Sequence, residues 1–183
     1  MSEMTLAKAY EKYFKIGAAT SPSEFPSHGK LLKTQFNSMS PENQMKFGPL
    51  HPEKDVWNFE PADQLVSFAR ENGMVFRAHA PVWHSGTNPW IFQRDDGSDV
   101  SREELLERLE EQFTVFALRY GDFVQYWDVV NEAIDDDPAK PVLRETNWLR
   151  ILGDGYLTTA FKLAKKVAPN VQLFYNDYDE WLP

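Results

Sequence analysis

The chain has 183 residues, 42% of them hydrophobic, enough for one sizeable domain and too few for two ordinary ones. Its 28 acidic and 19 basic residues give a net charge of −9, which argues against nucleic acid and anionic membranes, since both need clustered Lys and Arg. With no cysteine there is no disulfide framework and no thiolate chemistry, and a reducing compartment is permitted.

The start, Met1-Ser2-Glu3-Met4-Thr5-Leu6-Ala7-Lys8, lacks a basic region followed by an apolar core. No run approaches the roughly eighteen apolar residues of a membrane span. The expectation is a cytoplasmic protein, although a secreted mature domain without its leader would read the same. Leu6, Ala9, Tyr10 and Tyr13 have helical spacing. Short apolar runs then predict strands over Phe14–Thr20, Gln35–Met39, Val75–Val82, Gln125–Val130 and Gln172–Tyr175. Between them, Pro61–Asn72 carries Ala62, Leu65, Val66 and Ala69 on one face and is followed by Gly73, a natural C′ residue. Ser101–Tyr120 opens with a Ser101/Glu104 capping-box pattern and lines Leu105, Leu109, Phe113, Phe116 and Tyr120 along one side. Asp154 is the expected cap of a last helix, with Leu157, Phe161, Ala164 and Ala168 inward and Pro169 as its stop. Strands alternating with helices imply a parallel sheet with helices packed on it, a fold whose chemistry gathers at the C-terminal strand ends.

Four of those ends concentrate functional groups: Glu42-Asn43-Gln44-Met45-Lys46, His79-Ala80-Pro81-Val82-Trp83-His84, Asn131-Glu132 and Asn176-Asp177-Tyr178. Each has a plain reading, as a solvated loop, a core histidine, a strand-end cap or turn chemistry. Their joint occurrence at successive strand ends is what surface noise does not supply. Metal catalysis is not expected: His79 and His84 are five apart with Pro81 between them, and His-Glu-x-x-His is absent. The Gly-rich phosphate loops and the Gly-x-Ser-x-Gly elbow are absent too. The remaining set of carboxylates, amides, imidazole, lysine and indole suits a sugar. Glu132, where a buried strand runs out, would lie against the apolar walls a general acid needs, and Asn131 can both donate and accept a hydrogen bond.

At these residues the sequence resembles glycoside hydrolase family 10, the β-1,4-xylanases. The matching motifs are Glu42 to Lys46, Arg77-Ala78-His79 running to Val82-Trp83-His84, Trp127 to Ala133, and Phe174 to Tyr178, in that order, with Phe14–Ala18 similar to the opening strand. The resemblance implies an α/β fold, a TIM (β/α)8 barrel truncated after about five strands, with residues 1–183 the N-terminal part of a single catalytic barrel. It implies retaining hydrolysis of internal β-1,4-xylosidic bonds in xylan or xylo-oligosaccharides, with no cofactor and no metal. Glu132 would be the acid/base, and Asn131 would hold the 2-hydroxyl of the sugar about to be cleaved. His79 and Trp83 would line that subsite, while Glu42, Asn43 and Lys46 would bind the neighbouring xylose on the glycone side. Trp90 would shape the cleft and Tyr178 would reach the aglycone side. His84 and Asn176, inside matching motifs, join the substrate-binding set.

Departures from the family pattern are Ala80-Pro81 in place of Thr-Leu, Gly86 in place of Gln and Phe47 in place of Trp. The largest departure is length. A retaining mechanism needs a second carboxylate roughly 5–5.5 Å from the first, which the family carries on its seventh strand in a Thr-Glu-hydrophobic-Asp context. No such motif follows the fifth strand, and Glu180 is no substitute. The expectation is a chain inactive alone, completed by a C-terminal fragment or self-associating through open sheet edges. Two alternatives remain: a non-catalytic xylan-binding module, and a related barrel glycosidase acting on β-glucan.

Overall fold

The computed structural model describes residues 4–178, and Glu180 lies outside that range. Five strands form one sheet in the order β1-β2-β3-β4-β5, every neighbouring pair parallel. They are β1 (Gly17–Thr20), β2 (Ser38–Pro41), β3 (Val75–Val82), β4 (Tyr126–Asn131) and β5 (Gln172–Asn176). The helices are α1 (Leu6–Tyr10), α2 (Phe25–Gln35), α3 (Phe47–Leu50), α4 (Glu60–Glu71), α5 (Arg102–Tyr120), α6 (Asn147–Leu152) and α7 (Tyr156–Val167). Sequence order equal to spatial order, each strand reached through a helical connection, is the winding of a β/α barrel wall. No helix among the described residues is long and apolar enough to cross a membrane.

The two faces of the sheet separate by strand alternation. Met39, Phe76, Ala78, Trp127 and Val129 point to the helices and are buried. The long helix α5 supplies the facing layer: its five inward residues expected from spacing are all buried. Trp127 stacks on Phe116 with centroids 4.5 Å apart and meets Phe113 edge-on at 4.9 Å. The α5 start is the capping box read from the sequence, with the Glu104 N–H donating to Ser101 Oγ at 3.2 Å and the Ser101 N–H to Glu104 Oε2 at 2.6 Å. The other face is polar: Gly17, Ser38, Ser40, Arg77, Tyr126, Gln172 and Phe174 line a recess there, and the Arg77 guanidinium lies 4.5 Å over the Phe174 ring.

Several boundaries differ from expectation. β1 begins at Gly17 rather than Phe14, because Phe14 stacks on Tyr10 at 5.1 Å and stays exposed. β2 covers Ser38–Pro41 rather than Gln35–Met39, because α2 runs through Gln35, whose Oε1 accepts from the Leu6 N–H at 2.9 Å. That shift brings Glu42 directly to the strand end. The helix α2 buries only Gly29 and Leu32, too little of an apolar stripe to announce itself. Gly155, not Asp154, caps α7, and Tyr156 and Ala160 are buried with Ala164, while Leu157 and Phe161 are only half-buried. Where α4 ends, Gly73 takes φ 63 as expected of a C′ glycine.

Candidate active site

Two register irregularities fall at the C-terminal ends of the central strands, between His79 and Val82 on β3 and between Asp128 and Val130 on β4. Such interruptions re-aim the side chains beyond them. On β4 the chain buries Val129, Val130 and Asn131 and then brings out Glu132 half-exposed with φ 52. Its Oε2 accepts a hydrogen bond from Trp83 Nε1 at 2.7 Å and lies 3.9 Å from His84 Nε2. The end of β3 and the end of β4 therefore meet at one carboxylate.

The β2 end closes the cluster from the other side. Lys46 is buried to 9% exposure, its Nζ donates to Asn43 Oδ1 at 2.9 Å and sits 4.1 Å over the Trp83 ring. Burial pushes the Lys46 ammonium below its ordinary range, against the opposing fields of Glu132 and Glu42. Glu42 itself is exposed and follows β2 with its N–H donating to Thr20 O at 3.0 Å. Two glycines permit the approach of the two loops: the Gly48 N–H donates to Gly86 O at 2.9 Å, and a Cβ on Gly48 would stand 2.5 Å from that oxygen. Gly86 takes φ 64 beside the Trp83 ring, so the absence of a larger residue here has a backbone reason.

Asn131 is 3% exposed, and its Oδ1 accepts from Asn176 Nδ2 at 2.7 Å. That bond fixes the amide so that Asn131 Nδ2 is left to donate. His79 lies within β3 rather than at its end. Its Nδ1 is 3.0 Å from Asp128 Oδ2, which directs the other ring nitrogen away from Asp128. Asp128 also accepts from Arg77 Nε at 3.0 Å. Burial alone would raise the Asp128 carboxyl, but hydrogen bonds from His79 and Arg77 and the guanidinium charge outweigh it and hold it below the usual carboxylate range.

Two expected residues stand apart from the Trp83–Glu132 contact. Trp90 donates from Nε1 to His51 O at 3.2 Å and packs edge-on against Phe47 at 5.9 Å, so it backs the residue next to Lys46. Tyr178 donates to Asp136 Oδ1 at 2.6 Å and accepts from Arg144 Nη2 at 3.3 Å. Reading the sequence missed Arg144, which reaches into this region from the segment after β4 and had no motif to mark it. It also missed Trp148, whose Nε1 donates to Trp83 O at 2.9 Å. Among the described residues no group of three or more His, Asp or Glu side chains is placed to hold a metal ion.

Comparison with known proteins places the fold in a family. The family model "Glycosyl hydrolase family 10" matches residues 5–181. Endo-1,4-beta-xylanase A of Caldicellulosiruptor saccharolyticus is 44% identical over 184 residues, covering 100% of this chain and 54% of that protein. The crystal structure of xylanase XynB from Paenibacillus barcinonensis, complexed with a conduramine derivative, superposes with a TM-score of 0.94 at 42% identity, over 100% of this chain and 55% of that one. An intracellular xylanase from Thermoanaerobacterium saccharolyticum, a mutant in complex with xylotriose, gives 0.90 at 34% identity over 98% of this chain and 58% of that one. The chain spans about half the length of the relatives it matches, and its five-stranded parallel wall is part of a TIM barrel. The chain belongs to glycosyl hydrolase family 10.

Proposed function

We propose that this chain supplies the acid/base half of a retaining endo-β-1,4-xylanase site. The observation that carries the reading is the Glu132 carboxylate at the end of β4, held by Trp83 at 2.7 Å, next to an Asn131 amide whose oxygen is already taken by Asn176. In this reading Glu132 protonates the glycosidic oxygen as the bond to the leaving sugar breaks and later takes a proton from the attacking water. The free Asn131 Nδ2 donates to the 2-hydroxyl of the sugar being cleaved. Lys46, Asn43 and Glu42 bind the preceding xylose, Trp83 and His79 line the wall between, and His84 faces the acid/base. Tyr178 and Asn176 border the leaving-group side, and Trp90 supports the cleft from behind Phe47. The T. saccharolyticum relative is named an intracellular xylanase, which favours cytoplasmic action on short xylo-oligosaccharides.

A retaining enzyme needs a second carboxylate roughly 5–5.5 Å from the first. The side chains beside the Glu132 carboxylate, Trp83 at 2.7 Å and His84 at 3.9 Å, are not carboxylates, and we assign the nucleophile to barrel strands other than these five. The test is release of reducing ends from xylan and from xylotetraose by the 183-residue chain, alone and mixed with a polypeptide carrying the remaining strands of a family member. Activity only in the mixture is the expected result. Robust hydrolysis by the chain alone would refute the assignment of the nucleophile. Sugar binding without hydrolysis in either condition would favour a non-catalytic xylan-binding module.

A further inference from the structure

Glu132 is one of two non-glycine residues with positive φ among the described residues, the other being Asp55. A left-handed backbone costs an L-residue about 1–2 kcal/mol and persists only where its surroundings hold it. The peptide groups around Glu132 are held from two directions. On the donor side, the Glu132 N–H donates to Asn176 O at 2.9 Å and the Ala133 N–H to Tyr175 Oη at 3.1 Å, both from the neighbouring strand β5. On the acceptor side, three consecutive carbonyls are all taken by Arg144. Its Nε donates to Glu132 O at 3.2 Å, its backbone N–H to Ala133 O at 2.8 Å, and its Nη2 to Ile134 O at 2.8 Å.

The guanidinium is itself anchored. Nη2 and Nη1 donate to the two oxygens of Asp136 at 2.8 and 3.2 Å, and Nη2 also donates to Tyr178 Oη at 3.3 Å. Only 16% of the side chain is exposed. Each bond modestly stabilises the loop, but together they fill the carbonyl positions that fix the direction in which the chain leaves β4. We propose that Arg144 is a positioning residue for Glu132, holding the left-handed turn after β4 that delivers the carboxylate to Trp83 Nε1. The geometric part stands on these contacts alone. Its consequence for catalysis rests on Glu132 being the acid/base.

A planar fork with several fixed donors is needed to reach two carbonyls and a carboxylate together, which an ammonium cannot do. The experiment uses the 183-residue chain with 15N-labelled tryptophan and follows the indole N–H resonance of Trp83, assigned with Trp83→Phe. Glu132→Gln marks where that resonance moves when its carboxylate acceptor is replaced. Arg144→Met and Arg144→Lys are expected to move the Trp83 resonance toward a weaker hydrogen bond and to leave that of Trp127 in place. Arg150→Met, which removes the exposed Arg150–Asp99 pair, is expected to move neither. If Arg144→Met does not fold, Arg144→Lys carries the test.

A Trp83 resonance unchanged in a folded Arg144 variant would overturn the proposal. In the mixture with the remaining strands, Arg144→Lys is expected to lower kcat/KM on xylan about 10–100-fold. On an aryl xylobioside whose nitrophenol leaving group needs no proton, kcat/KM, which reports the step before the attack of water, should change little. Equal losses on both substrates would reduce Arg144 to a stabilising residue. A wild-type mixture without hydrolysis would count against the proposed function and leave the indole result to decide the positioning role.

Discussion

Trp127 and Glu132 lie on the same strand and its immediate exit, yet they belong to different physical regimes. Trp127 is 1% exposed and sits between Phe113 and Phe116; its environment is apolar, close-packed and made by side chains. Glu132 is half-exposed, in a left-handed backbone, and its environment is made by hydrogen bonds donated by Trp83 and Arg144 and accepted by Asn176 O. The helix-facing side of the sheet maximises burial and has no strained backbone within β4. The C-terminal rim gives up packing to hold polar groups in fixed directions, as expected where sites are built on a stable scaffold.

That contrast can be broken at its stable end first. Trp127→Ala should cost about 3–5 kcal/mol in urea unfolding, the largest stability loss expected here; a loss under about 1 kcal/mol would mean the β4–α5 layer is not the core. Asp128→Asn sharpens the boundary between the regimes, since Asp128 is buried on the polar face with Arg77 and His79. At neutral pH the change should cost about 1–3 kcal/mol. Because the native Asp128 carboxyl is held below its unfolded value of about 3.9, its contribution is fully present above that pH and disappears as pH falls through the native value. Acid titration of stability should therefore be flatter below about pH 4 in Asp128→Asn. Parallel curves for the two proteins would show that the ion cluster contributes no pH dependence.

The helix-facing layer was legible in the sequence because burial leaves a period. The inward residues of α4 and α5 follow helical spacing, and the Ser101/Glu104 box marks where α5 starts. The helix α2 was not legible, because with only Gly29 and Leu32 buried it carries hardly any stripe, and missing it displaced the expected β2. At the rim, Glu42, Asn43, Lys46, Trp83, His84, Asn131 and Glu132 were legible as concentrated groups at strand ends, and the resemblance supplied the roles proposed for them. Arg144 was not, since donation to three backbone carbonyls depends on the path of a loop rather than on any residue pattern. Trp148 was hidden for a similar reason: its indole looks like core and its N–H bonds to a carbonyl of the Trp83 loop. Trp90 was expected to shape the cleft, and its edge-on contact with Phe47, the neighbour of Lys46, is one no sequence pattern announces.

The central claim is that the rim carries chemistry and not stability, and Glu132→Gln tests it most directly. Unfolding of the variant chain and its hydrolysis of xylan in the mixture with the remaining strands should be measured together. The account predicts stability within about 0.5 kcal/mol of the parent and hydrolysis of unactivated xylan reduced by at least about 100-fold. Unchanged hydrolysis would contradict it.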